Sequence, residues 1–82
     1  MAFTQAKLEH ALGSWVDLNI ALMKSKGREG LRFALELLDL EQKGKARPEF
    51  LRRILGRATR LRGDVDRADL MRQINLGRSR RQ

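Results

Sequence analysis

Eighty-two residues make one small domain with a modest core, and the absence of cysteine excludes disulfides and thiolate metal sites. The formal net charge is +8, with 13 arginines against 5 lysines. Residues 1–42 hold five basic and six acidic groups and residues 43–82 thirteen and four, so the excess lies in the second half. No uninterrupted aliphatic run is long enough to span a bilayer, since the longest, Ile20 to Met23, covers four residues. The N-terminal run MAFTQAKLEH has no apolar signal core. The expectation is therefore a soluble, cytoplasmic protein.

Leucines recur at helical spacing throughout, and the pattern predicts an all-α single domain over 1–82: a small bundle of about four helices, near 4–24, 29–43, 48–62 and 67–76, with a basic tail over 78–82. The first helix starts at Thr4, whose hydroxyl can take a free backbone N–H, and Phe3 with Leu8 is spaced for a hydrophobic staple. Leu8, Ala11, Leu12, Trp15, Leu22 and Met23 share one face if the helix runs through Gly13, which assigns Trp15 to the core. Ser14 with Asp17 three residues on is an alternative start, as a capping box, and would break the helix there. Asn19 falls within the apolar face, as an amide bonded to backbone or as a contact to a partner.

The second helix has two apolar sides. Leu31, Ala34, Leu35 and Leu38 form one stripe; Phe33, Leu37 and Leu40 form another nearly opposite. A helix of this kind must be covered twice, either as the centre of the bundle or by a second copy. The first two helices are expected to supply the scaffold and any homodimer contact.

Pro48 suits the first turn of a third helix, in which Phe50, Leu51, Ile54, Leu55, Ala58 and Leu61 form a core stripe. Arg53, Arg57 and Arg60 line up at i, i+4 and i+7 on the opposite face, flanked by Arg52. Gly63 is read as the stop, and Asp66 with Asp69 as the cap of a short fourth helix.

Only Glu49 offsets the eight basic groups of residues 43–62. Such a face suits a polyanion, and guanidinium forks match phosphate geometry. The expected function is non-enzymatic nucleic-acid binding, DNA or RNA, through Lys43, Lys45, Arg47, Arg52, Arg53, Arg57, Arg60 and Arg62, with Arg78, Arg80 and Arg81 as an arm. A helix-turn-helix is not assigned: Ala58 and Gly63 are five residues apart where four are expected, and Asp66 and Asp69 would open the reading helix. The alternative is a small adaptor or inhibitor docking an acidic protein through Phe33, Leu37 and Leu40. No nucleophile is paired with the single His10, the acidic cluster Asp64, Asp66 and Asp69 lacks calcium-loop spacing, and no cofactor or metal is expected.

Overall fold

The computed structural model describes the backbone of residues 3–80 and the side chains of residues 3–74. It is all-α: α1 Gln5–Ala11, α2 Trp15–Lys24, α3 Gly27–Lys43 and α4 Pro48–Arg80. Among the described residues, no helix is long and apolar enough to cross a membrane.

The first expected helix is two. Thr4 caps α1 as anticipated, its Oγ1 accepting from the Lys7 N–H at 3.2 Å. The chain leaves the helix after Ala11, and Ser14, in extended backbone, restarts it by accepting from the Asp17 N–H at 3.1 Å. The cap at Ser14 therefore prevails over continuity through Gly13, and the break resets the apolar phase. Leu18 and Leu22 are buried, whereas Trp15 lies half-exposed at the edge of the body, its ring edge-on to Phe50 at 5.5 Å. Val16, Ile20 and Met23 also face outward.

Gly27 turns the chain from α2 into α3 with φ 65°, a left-handed conformation that an L side chain resists. One turn later Gly30 brings α3 against the end of α2, where a Cβ would stand 2.6 Å from the Ser25 carbonyl carbon. Phe33, Ala34 and Leu37 then pack on Phe50, Ile54 and Ala58 of α4, and Phe3 closes the cluster with its ring 5.0 Å from that of Phe33. The α3/α4 hairpin is thus the scaffold, a role expected of the first two helices. Phe33 and Leu37 are 5% and 0% exposed, so with Leu40, partly buried against the same cluster, they line this chain's own core and not a docking surface.

The third and fourth expected helices are one. α4 runs through Gly63 for 33 residues, about 50 Å, and sets the 55 Å long dimension of the molecule. Asp66 lies inside it and caps nothing. A glycine in a helix interior weakens the helix by about 1 kcal/mol relative to alanine but does not end it, and the apolar phase of Ile54, Ala58, Leu61 and Val65 carries across. The total of four helices survives because one expected helix split while two fused. Both Gly56 and Gly63 are exposed, and a Cβ at either would meet nothing within 4 Å. Gly56→Ala with Gly63→Ala is expected to stabilise the fold by about 1–2 kcal/mol, read as a higher melting temperature by circular dichroism. An unchanged or lower Tm would mean that α4 is not continuous there.

α1 and α2 cover only one face of the hairpin. By helical phase Leu31, Leu35 and Leu38 of α3 and Leu51 and Leu55 of α4 border the core stripe away from α2, and Leu31 and Leu35 share a groove with Phe3 and Leu8. Leu35 and Leu55 are 40% and 54% exposed, and the other three are partly exposed.

Candidate nucleic-acid interface

The arginines of α4 divide into those that hold the fold and those that face solvent. Arg47, in the turn before α4, belongs to the first group. Its Nε and Nη2 donate to Glu41 Oε2 and Oε1, each at 2.9 Å, and its backbone N–H donates to Oε2 at 2.8 Å. Nη2 also reaches the Leu12 carbonyl at 2.9 Å, between α1 and α2, and the guanidinium carbon lies 3.5 Å from the Phe50 ring centroid. Glu41 is 2% exposed, so its charge depends on these bonds. They hold its carboxyl below the usual glutamate range against the opposing effect of burial, and the same pair raises Arg47 above its ordinary value.

Arg53 and Arg57, expected on the solvent face, are half-buried against α2. Arg53 Nε donates to Asn19 Oδ1 at 2.7 Å, while Asn19 Nδ2 donates to the Trp15 carbonyl at 2.8 Å. The amide of Asn19 thus bonds to backbone and orients an arginine of the neighbouring helix. Arg57 Nη2 donates to the Ser25 carbonyl at 2.6 Å and so satisfies a free acceptor at the end of α2. The reason is angular. Arg53 and Arg57 lie about 100° and about 60° around the helix from Ile54 at the centre of the core stripe, so they fall on the flank that α2 covers.

Lys43 pairs with Asp39 at 3.0 Å, both well exposed, an i,i+4 contact that contributes little. Lys45, Arg52, Arg60 and Arg62 are exposed and form no salt bridge among the described residues. The side chains of Arg78 and Arg80 and all of Arg81 lie outside the described residues.

Two exposed arginines of α4, Arg67 and Arg72, were absent from the expected set, and the first of them bears on the surface. Arg67, treated as part of a separate fourth helix, lies on α4 and faces solvent. With α4 continuous, Arg52, Gly56, Arg60, Gly63 and Arg67 follow at steps of 4, 4, 3 and 4 residues and lie within one narrow sector pointing away from α3. The three guanidinium groups are spaced about 12 and about 10 Å apart along the axis, with a bare helix backbone between them. Glu49, at the N-terminal end where the helix dipole favours an acid, lies in that sector, and exposed Asp64 borders it one turn from both Arg60 and Arg67 without a salt bridge to either. The sequence signal for the stripe was present, but it becomes visible only if phasing is continued across Gly63.

No protein-family model matches the chain, and neither does any curated protein or solved structure. The functional reading therefore rests on this geometry alone.

Proposed function

We propose that the chain is a non-enzymatic nucleic-acid-binding module that grips the sugar-phosphate backbone with Arg52, Arg60 and Arg67 on the outer face of α4. The observation that carries this reading is the stripe itself: three exposed arginines without acidic partners among the described residues, in register over about 22 Å of rigid helix. A face that merely solvates the fold would mix charges, and such a face is expected to be neutralised locally. Glycines between the arginines leave no side chain to hold a phosphate chain away from the helix. Lys45 and Arg62 flank the stripe and extend the positive field, and Arg78, Arg80 and Arg81 add charge at the C-terminal end of the sequence. Arg47, Arg53 and Arg57 serve by holding α4 in place. Such a role goes with a location inside the cell.

The rival adaptor reading loses its interface, because Phe33 and Leu37 are core residues. The test is a binding titration of the full chain against duplex DNA, duplex RNA and single strands across salt concentrations. Neutralising three phosphates of B-DNA gives a slope of log affinity against log salt of about −2.7, and about −2.1 for a single strand. No binding at low salt, or an affinity flat in salt, would refute the proposal.

A further inference from the structure

We infer that the ligand of the arginine stripe is single-stranded nucleic acid, with its phosphates on α4 and its bases on the outer side of α2; this rests on the reading proposed above and names the form of that ligand. α2 is apolar on two sides. Leu18 and Leu22 are buried, while Trp15, Val16, Ile20 and Met23 are 45%, 64%, 47% and 68% exposed and lie together on the outer side with no charged group among them. Single exposed apolar residues are ordinary, but four side by side on one short helix make a patch of the kind that marks a binding surface.

The contacts between α2 and α4 fix the direction in which this patch looks. Trp15 meets Phe50, Asn19 accepts from Arg53, and the Ser25 carbonyl accepts from Arg57, so the two helices run side by side in the same direction. On α4, the direction a quarter turn from α2 and away from α3 is that of Gly56, with Arg52 and Arg60 about 40° to either side. On α2, the same outward direction is that of Val16, with Met23 and Ile20 within about 40° of it. The two helices therefore present one continuous outer surface: a row of arginines on α4, a row of apolar groups on α2, and the Arg53–Asn19 pair in the valley between them.

The charges on this surface favour an anion. Glu49 stands at the N-terminal end of the arginine row, Asp17 lies at the far edge of α2 beside Lys24, and Asp64 falls beyond the end of α2. Arg53 is held by a neutral amide and Arg57 by a neutral carbonyl, so no carboxylate cancels either charge there. The ligand that fits is negative along one edge and apolar along the other. A single strand has this form, since its phosphates run along one side and its bases can be splayed out onto an aromatic or apolar surface. A duplex keeps its bases stacked inside and would lay phosphates over the apolar row.

The test titrates the full chain at low salt with oligothymidylate and with duplex DNA of the same length, reading the emission of Trp15, the single tryptophan. The single strand is expected to quench that emission and to bind about tenfold more tightly than the duplex. Charge alone would give the opposite order, because the duplex carries the denser counterion atmosphere. Trp15→Ala is expected to cost about tenfold on labelled oligothymidylate and to leave duplex binding unchanged. Because Trp15 also packs on Phe50, Val16→Ser with Met23→Ser is the second variant; both side chains are at the surface, so it should weaken the single strand alone, with helical circular dichroism unchanged. A duplex that binds as tightly as the single strand, with Trp15 emission unmoved, overturns the inference and leaves the arginine reading standing. Absence of binding to either form defeats that reading and the inference with it. A Trp15 response to phosphatidylglycerol vesicles and none to oligothymidylate also overturns the inference, and would make the face a membrane surface.

Discussion

Arg47→Ala is expected to destabilise the chain by about 3 kcal/mol, read from urea unfolding at neutral pH, because removing one partner of a buried pair leaves an uncompensated charge. Glu41 would keep one backbone N–H and lose two side-chain donors while remaining 2% exposed. The same truncation removes the bond to the Leu12 carbonyl and the cation-π contact with Phe50, so α1, α3 and α4 all loosen together. In a bundle this small, such a loss is a large fraction of the whole stability. The pair also dictates an acid limb. Because the folded Glu41 carboxyl is depressed, its contribution is complete above the usual glutamate range and is lost as pH falls below about 4.3 and on through the lower folded value. Arg47 is raised, so its contribution holds throughout that window and is lost only in strong alkali. Glu41→Gln should therefore be less stable than wild type at pH 7 yet show a flatter decline between pH 5 and pH 3. An acid limb of wild-type steepness in that variant would place the titrating group elsewhere.

Replacing Arg52, Arg60 and Arg67 together with alanine is expected to abolish most nucleic-acid binding while leaving the melting temperature within the range of ordinary surface substitutions. Three charge-assisted contacts at about 1.5 kcal/mol each correspond to a loss on the order of a thousandfold at low salt. The salt slope should flatten by about 2.7 units on B-DNA. Arg53→Ala with Arg57→Ala supplies the contrast. These two side chains donate to Asn19 and Ser25, so the double variant should lower the Tm and change the salt slope little. If the Arg53 and Arg57 pair proves to control affinity and the outer stripe does not, the binding surface has been assigned to the wrong flank of α4.

The fold class was legible because leucine and alanine spacing follows the helical period in every segment. Two boundaries were not. At Gly13 the apolar phase argued for continuity, but the Ser14 hydroxyl satisfies a free N–H that continuity would have left to the helix, and that local bond decided the outcome. At Gly63 a residue that usually ends helices sits where the core stripe continues from Leu61 to Val65, and burial outweighs the conformational preference. The basic character of the second half was equally plain. Which arginines are available was not, because Arg47, Arg53 and Arg57 are taken up by an acid, an amide and a carbonyl 6, 34 and 32 residues away in sequence. Such partners have no periodicity to read.

The contact at Gly30 has a mechanical consequence. Ser25 is the residue against which α3 is pressed, and its carbonyl is also the acceptor that holds Arg57 of α4. Three helices are therefore indexed on one backbone residue. Any side chain at Gly30 would displace Ser25, and the displacement would be delivered directly to a guanidinium on the most basic helix of the molecule. A position with no charge, far from the outer stripe in sequence, thus sets the seat of the Arg57 guanidinium.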